Sequence, residues 1–271
     1  QCLVGSEMCI RDRYKVLQAM QKNKLSDCHF GMTTGYGYGD LGRDTLEEIY
    51  KDVFNAESAL VRAQIISGTH ALTVALFGNL KYGDELFSPV GKPYDTLECV
   101  IGQARETKGS LKEHGVSYRQ LELLENGRVD FDNIAKNITD KTKMVTIQRS
   151  KGYSYRPSLT LEEIKKIIEI VKGVRKDIIC MVDNCYGEFV DIIEPTEVGA
   201  DLVVGSLIKN PGGGIAPVGG YIVGKKDYVD NCSYRLTAPG LGKEVGPSLG
   251  ISGSLIPVSY THLRAHETLS D

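Results

Sequence analysis

Short apolar runs alternate with amphipathic helical patterns through most of this chain, and that alternation constrains its fold more than any other feature. The segments 178–182 (IICMV) and 202–204 (LVV) are continuously apolar, as expected of strands that are buried on both faces. Just before the first of them, one face of a helix is marked by Leu161, Ile164, Ile167, Ile168 and Val171. The pattern predicts an α/β domain with a mostly parallel sheet that is covered by helices on both faces.

The same reasoning divides the rest of the chain into strands and helices. Strands are predicted at 59–66, 84–88, 116–121, 143–148, 178–182, 202–204 and 218–223. Helices are predicted at 46–54, 69–80, 94–101, 131–137 and 161–171, with a further polar helix after the last strand. Either Ser158 or Thr160 is available to cap the helix at 161–171. No internal repeat or interdomain linker interrupts the series, so we expect one large domain.

Charge and composition exclude some classes of protein. The 271 residues carry a formal net charge of −3 with a pI near 6.0, which gives no sign of a nucleic-acid-binding surface. No apolar run approaches the roughly 20 residues that a membrane span requires. Seven cysteines form no Cys-x-x-Cys pair and no cluster with zinc-ligand spacing, and we recognise no signal peptide. These features predict a cytoplasmic protein with reduced thiols, without nucleic-acid or membrane partners and without a metal.

The two ends of the chain do not fit the pattern. Residues 1–13 and 257–271 show no clear amphipathic period, and they resemble peptides translated from sequencing adapters. We therefore expect both segments to be foreign and to be extended or poorly packed; two genuine tails are the alternative. The rest divides into an N-terminal segment at 14–43, which holds a loop rich in tyrosine and glycine, and a large domain at 44–256.

Ligands of parallel α/β sheets bind at the carboxyl ends of the strands, so the residues after each predicted strand are the candidates for chemistry. Lys209 follows the strand at 202–204 and precedes Pro211 and three glycines. Such an amine is either a solvated loop lysine or a desolvated nucleophile that forms a Schiff base with a carbonyl. Asp183 follows the strand at 178–182, where its carboxylate either caps a turn or pairs with a pyridinium nitrogen.

Three small residues open the helix predicted at 69–80: Ser67, Gly68 and Thr69. Backbone N–H groups at a helix N-terminus bind phosphate, and this position follows a predicted strand, as the other candidates do. Ser206 would add a hydroxyl from the segment before the lysine. The alternative role of the first serine is a simple N-cap, which a phosphate site does not exclude.

Residues 37–42 (GYGDLG) match the Gly-x-Gly-x-x-Gly pattern of dinucleotide-binding loops. The residues before this loop, 27–35, make a poor strand, and no strand–helix–strand unit frames the glycines. We therefore favour a binding loop of another kind, built on tyrosine and glycine. A nucleotide-binding domain is the alternative.

These segments together resemble pyridoxal 5′-phosphate (PLP) enzymes of fold type I in the Cys/Met metabolism superfamily. Within it, they are most similar to the branch of methionine gamma-lyase-like or aluminium resistance proteins. The resemblance runs from about residue 24 to residue 250. Its most specific stretches are 34–43 (TGYGYGDLGR), 67–71 (SGTHA), 88–97 (SPVGKPYDTL), 182–189 (VDNCYGEF), 206–214 (SLIKNPGGG) and 235–246 (RLTAPGLGKEVG). It implies the large domain of a fold type I PLP-dependent transferase, with the C-terminal small domain missing.

The resemblance assigns roles within the cofactor site. Lys209 would carry the Schiff base and move the substrate α-proton, and Asp183 would hold the pyridinium nitrogen. Tyr94 would stack on the cofactor ring, with an ordinary core aromatic as its alternative. Contacts to the cofactor phosphate would come from Ser67, Gly68, Thr69 and Ser206.

The resemblance also implies an assembly. Tyr36, and more weakly Tyr38, would reach the phosphate of a neighbouring subunit, so the active unit would be a homodimer or a dimer of dimers. Three features depart from the lyases proper: Tyr38 stands where they usually carry arginine, the Asn-Pro-Thr that follows in their loop is missing, and 148–150 (QRS) differs from their loop beside the ring. No residue here can be assigned as the arginine that binds the substrate carboxylate, which the family places in its C-terminal domain. These departures leave PLP binding intact and put methionine as the substrate in question.

The resulting prediction is a PLP-dependent carbon–sulfur lyase of sulfur amino-acid metabolism. A transaminase or aldolase type of reaction on the same cofactor remains an alternative, because fold and cofactor do not decide which bond breaks. A non-catalytic PLP-binding fragment is the other alternative. Without a clamp for the substrate carboxylate, we expect this chain to bind PLP and to turn over amino acids orders of magnitude more slowly than its full-length parent.

Overall fold

The computed structural model describes residues 2–104, 107–152, 156–212 and 216–250 of the chain. Within them lie seven strands: β1 Ser58–Arg62, β2 Glu85–Ser88, β3 Ser117–Gln120, β4 Thr142–Gln148, β5 Ile179–Asp183, β6 Leu202–Ser206 and β7 Gly220–Gly224. They form one sheet in the order β1-β7-β6-β5-β4-β2-β3. Strand β7 is antiparallel to both neighbours, and every other pairing is parallel. The mostly parallel α/β sheet predicted from the sequence is therefore confirmed.

Seven α-helices lie in the same residues: α1 Cys2–Lys22, α2 Leu41–Val53, α3 Gly68–Asn79, α4 Asp95–Ile101, α5 Phe131–Ile134, α6 Leu161–Val174 and α7 Lys226–Leu236. Short 3₁₀ turns lie at Asp27–Phe30, Ala135–Asn137, Pro195–Val198, Asn210–Gly212 and Gly242–Glu244. No helix in the described part of the chain is long and apolar enough to cross a membrane.

Helices cover both faces of the sheet. In β5, the side chains of Cys180 and Val182 join the core that contains residues of α2 and α6. Those of Ile179 and Met181 point the other way, into the core that contains residues of α3, α4 and α7. Because successive side chains of a strand face opposite sides, a strand between two such cores must be apolar throughout.

Six of the seven strands end at one edge of the sheet. Gln148 at the end of β4 pairs with Asp183 at the end of β5. Ser206 at the end of β6 pairs with Gly220, the first residue of the antiparallel β7, and so does Arg62 at the end of β1. The segments that follow β1, β4, β5 and β6 therefore meet at this edge, where ligands of such sheets bind.

Two element boundaries differ from the predicted ones by four residues or more. Strand β1 ends at Arg62 rather than at residue 66, because the chain turns there and the Ile65 N–H donates to the Arg62 carbonyl at 3.2 Å. Helix α2 begins at Leu41 rather than at residue 46. The carboxylate of Asp40 caps it by accepting the Arg43 N–H at 2.9 Å, so the helix starts before its apolar face does.

The N-terminal helix is the largest departure from the sequence-based expectation. Residues 2–13, predicted to be extended or poorly packed, are helical in α1 rather than extended. That this segment is foreign stays a prediction. Val16 and Ala19 of this helix are buried in the core that also holds the apolar face of α2. Once such a packed turn exists, extending the helix toward its N-terminus is easier than nucleating it. The segment at 257–271, also predicted to be foreign, lies outside the described residues.

Candidate cofactor-binding site

Lys209 lies just beyond the end of β6, and the segment that follows β5 holds it in place. Its Nζ atom is 4.0 Å from the centroid of the Tyr186 ring. The next residue, Asn210, is buried, and its side-chain amide donates to the Glu188 carbonyl at 3.3 Å. Two consecutive residues after β6 thus contact two residues after β5. The sequence-based expectation that both strand ends contribute to one site is consistent with this geometry.

The charge of Lys209 is set by opposing effects. Burial lowers the pKa of its amine, but the acidic groups of Cys185, Tyr186 and Asp183 outweigh burial and raise the pKa above its ordinary value. The free amine is therefore an ammonium ion at neutral pH. A positive group of this kind is attracted to the face of an aromatic ring and to carboxylates.

Asp183 is the last residue of β5, and only 3% of it is exposed. Its Oδ1 accepts the backbone N–H of Cys185 at 3.1 Å, but no ion pair among the described residues includes it. Burial raises the pKa of this carboxyl more than the Cys185 N–H and the charges of Lys209 and Arg156 lower it. A buried carboxylate without an ion pair favours a cation placed against it.

The small residues predicted to bind phosphate form the N-terminus of α3 beside the end of β6. Ser67 is the N-cap, and its hydroxyl accepts the His70 N–H at 3.1 Å. Other N–H groups of the first helical turn have no partner within the helix. The Oγ of Ser206 is buried and has no hydrogen-bond partner among the described residues. A buried hydroxyl of this kind beside a helix N-terminus fits a bound phosphate.

Gly68 allows this helix to approach the sheet closely. A Cβ atom added to it would lie 3.1 Å from the Cβ of Ser206 and 3.2 Å from the Sγ of Cys185, which is tighter than ordinary van der Waals contact. A larger residue would push the first turn of α3 away from β6. The glycine therefore sets the distance between the helix N-terminus and the hydroxyl at the strand end.

Tyr94 lies against the same group of residues. It is the N-cap of α4, whereas the sequence predicted it to be the first residue of that helix. Its hydroxyl is 3.1 Å from the Oγ1 of Thr69, and its backbone N–H donates to the side chain of Gln148 at 3.0 Å. Burial and then the charge of Asp183 raise the pKa of Tyr94 far above its ordinary value. The ring is thus fixed beside the carboxylate, and its phenol stays protonated.

Tyr36 and Tyr38 lie apart from this site. They are 72% and 61% exposed, and their ring centroids are 5.7 Å apart. The loop that carries them is nevertheless held firmly, because the Arg43 guanidinium donates to the carbonyl of Gly37 at 2.7 Å and to that of Gly246 at 3.2 Å. No contact within the described residues joins the two rings to the lysine and aspartate of the site.

The glycine-rich loop at 37–42 leads directly into α2. Among residues 23–40, all of which are described, the structure has no strand before the glycines. Gly37 and Gly39 both have a φ of 66°, in the left-handed region that glycine tolerates, so they form a turn. The sequence-based argument against a dinucleotide-binding unit agrees with this geometry.

Three residues that the sequence analysis did not assign complete the site: Gln148, Cys185 and Tyr186. The first positions Tyr94, the second donates its N–H to Asp183, and the third faces the lysine amine. An aspartate that accepts the N–H two residues later is a recognisable turn pattern, so Cys185 had a signal in the sequence. The contact between Tyr186 and the lysine joins two distant segments and had none.

A family model described as methionine gamma-lyase matches residues 5–258 of the chain. The chain belongs to the methionine gamma-lyase family. The matched range includes every residue of the site described above. It begins within the segment 1–13 and ends within the segment 257–271.

Several relatives resemble this family member over nearly its whole length. YnbB of Bacillus subtilis is 55% identical over 244 residues, which are 90% of this chain and 58% of that protein. A solved structure from Listeria monocytogenes, described as a candidate cystathionine beta-lyase involved in aluminium resistance, is 54% identical with a TM-score of 0.93. It matches 95% of this chain and 64% of its own.

A second structure, a carbon–sulfur lyase involved in aluminium resistance from Clostridium novyi, is 49% identical with a TM-score of 0.92. The match covers 96% of this chain and 62% of that one. This chain therefore spans 58% to 64% of the length of these three relatives. The likeness confirms the family resemblance and the fold class that the sequence predicted.

Proposed function

We propose that this chain forms the cofactor-binding part of a PLP-dependent carbon–sulfur lyase that acts on a sulfur amino acid. One observation carries the proposal: three groups that can each bind a different part of one molecule meet at the carboxyl edge of the sheet. They are the ammonium of Lys209, the buried carboxylate of Asp183 and the buried hydroxyl of Ser206. A single molecule with an aldehyde, a ring nitrogen and a phosphate would satisfy all three. The family and the description of the Clostridium novyi relative support the type of reaction.

The chemical groups of these residues match the groups that PLP would present to them. Ser206 and the N-terminus of α3, with Ser67, Gly68 and Thr69, would hold the phosphate. Asp183 would pair with the ring nitrogen, Tyr94 would lie against the ring, and Lys209 would attach to the aldehyde. When bound, PLP supplies an electron sink that stabilises negative charge at the substrate α-carbon.

Lys209 is the group that would move the α-proton. In the chain alone, the charge of Asp183 is one of the effects that raise the pKa of this amine. Pairing that carboxylate with a cation removes this contribution and moves the pKa of Lys209 toward neutrality, where the amine is a better general base. Tyr94, whose phenol stays protonated, would position and donate rather than act as a base.

We further propose that the protein is a cytoplasmic homo-oligomer in which Tyr36 and Tyr38 contact the phosphate site of a neighbouring copy. Two exposed aromatic rings on a loop fixed by Arg43 support this proposal, because aromatic side chains are enriched at interfaces. A rigid loop also loses little conformational freedom on docking. The partner it implies is a second copy of the same chain.

The test of the proposed function is turnover by the full-length parent with a panel of sulfur amino acids, followed by thiol and ammonia release. Lys209→Ala is expected to abolish release. Asp183→Asn is expected to keep cofactor binding and to reduce turnover by at least about a hundredfold, because the ring nitrogen is no longer held as a cation. Asp177→Asn, at an exposed aspartate, is the matched control and keeps full turnover.

Full activity of the Lys209→Ala parent would overturn the proposed role of the lysine. Release of an oxo acid without thiol would contradict the lyase reaction, while leaving cofactor binding in place. Full activity of Asp183→Asn would remove the aspartate from the ring-nitrogen role.

A further inference from the structure

Tyr186 faces the amine of Lys209 from an unusual backbone conformation. The Nζ of the lysine lies 4.0 Å from the ring centroid, and 47% of the tyrosine is exposed. Its φ is 69°, in the left-handed region that residues other than glycine rarely adopt. Residues held in such conformations are concentrated at functional sites, where the surrounding structure fixes them.

The turn around Tyr186 is fixed by buried polar contacts. The Gly187 N–H donates to the Asn184 carbonyl at 2.7 Å, which closes the turn. The side chain of Asn184 accepts from Arg149 at 2.9 Å and donates to Glu194 at 3.1 Å. These hydrogen bonds, and not burial of the tyrosine itself, therefore fix the backbone turn that carries the ring.

The amine of Lys209 contacts this ring and forms no ion pair with the neighbouring carboxylate of Asp183. No ion pair among the described residues includes Lys209, although Asp183 lies close enough to raise the pKa of its amine. The ring face is thus the group against which the free ammonium lies. The Tyr186 hydroxyl also lies within hydrogen-bonding range of the amine.

We propose that Tyr186 holds Lys209 in a resting position: the face of the tyrosine ring binds the lysine ammonium whenever that amine is not attached to a cofactor. The proposal rests on the proposed function, which requires an incoming amino acid to displace the lysine. A displaced lysine is a flexible cation, and a ring at a fixed position keeps it beside the site. Tyr186 is therefore a positioning residue for the catalytic amine.

The test measures how fast Lys209 is acetylated in the cofactor-free chain, with trace acetic anhydride and peptide mapping. The exposed Lys81 serves as the internal reference. Tyr186→Leu is expected to speed labelling of Lys209 about two- to fivefold, because loss of the ring face lowers the pKa of the amine and raises its reactive neutral fraction. Tyr186→Phe keeps the ring and loses the hydroxyl, so it is expected to label faster than wild type and more slowly than Tyr186→Leu. Tyr82→Leu, at a tyrosine that is 88% exposed, is the matched control without effect.

An unchanged rate in Tyr186→Leu overturns the proposal. Labelling of Tyr186→Phe as fast as that of Tyr186→Leu assigns the contact to the hydroxyl and overturns the role of the ring face. Tyr186→Gly adopts the left-handed backbone without strain, so it serves if the leucine variant does not fold, and it is expected to label as fast. Borohydride trapping of PLP in the wild-type chain is run in parallel. Absence of trapping at Lys209 would contradict the proposed function, whereas the labelling rates decide the role of Tyr186 separately.

Discussion

At the scale of single residues, two buried glutamates in the segment after β5, Glu188 and Glu194, have pKa values above the ordinary one. Glu188 is fully buried; its Oε1 accepts the Tyr221 hydroxyl at 2.8 Å, and its Oε2 has no hydrogen-bond partner among the described residues. Burial raises the pKa of Glu188 to about 8 and that of the neighbouring Glu194 to about 7. The folded chain therefore holds protons on these carboxyls at pH values where the unfolded chain has lost them.

This difference predicts how stability depends on pH. The stabilisation from Glu188 is complete below the ordinary pKa of 4.5 and is lost as the pH rises through about 8. Glu188→Gln stays neutral and can still accept from Tyr221, so it should flatten the fall in the free energy of unfolding between those values. A pKa difference of one corresponds to about 1.4 kcal/mol. Urea unfolding across the pH range measures this, with the exposed Glu125→Gln as control. An unchanged slope in Glu188→Gln would contradict the prediction.

The sequence allowed part of the site to be predicted at this scale. Lys209 and Asp183 follow continuous apolar strands, so their place at the carboxyl edge could be inferred from position alone. Glu188 and Tyr186 could not be assigned, because their roles depend on which distant residues the fold brings against them. Burial of a single carboxyl has no local sequence pattern.

At the scale of elements, apolar periodicity located the middle of each helix and strand, and polar caps decided the ends. Helix α2 starts at Leu41 because Asp40 caps it, and periodicity alone gave a later start. Helix α1 was missed because residues 1–13 show no clear amphipathic period, although Val16 and Ala19 in its second half are buried. Two candidate caps were left open for α6, and the structure selects Thr160, whose hydroxyl accepts the Glu163 N–H at 3.2 Å.

The capping box of α6 gives a direct prediction. Thr160→Ala removes the hydroxyl that accepts the Glu163 N–H, so only one half of the capping box is left, the backbone N–H of residue 160 that donates to the Glu163 side chain. The free energy of unfolding should fall by about 1 kcal/mol. Ser158→Ala, at the exposed alternative, should change it by less than about 0.5 kcal/mol. Equal effects of the two substitutions, measured by urea unfolding, would contradict the assignment of the cap.

At the scale of the whole molecule, the alternation of strands and helices was enough to predict the sheet and its two covered faces. The assembly could not be predicted from this alternation, because one chain does not contain the neighbour that Tyr36 and Tyr38 are proposed to contact. The exposed rings identify a surface, and only the resemblance to known enzymes named its partner as a second copy. The oligomer therefore remains a prediction.

Sedimentation of the chain in solution tests that prediction. The wild-type chain should sediment as a dimer or larger, and the double substitution Tyr36→Ser with Tyr38→Ser should shift it toward monomer, because two apolar anchors are lost from the interface. Tyr82→Ser removes a comparably exposed tyrosine elsewhere and should leave the assembly unchanged. A monomeric wild-type chain, or no shift in the double variant, would contradict the proposed interface.

The central claim is that Lys209, Asp183 and Ser206 form a single site for PLP, and covalent trapping tests it most directly. The chain is incubated with PLP, reduced with borohydride, digested, and mapped by mass spectrometry. We expect modification concentrated on the peptide that contains Lys209, with weaker trapping in Ser206→Ala because a phosphate contact is lost. Modification spread over exposed lysines such as Lys81, with none enriched at Lys209, would contradict it.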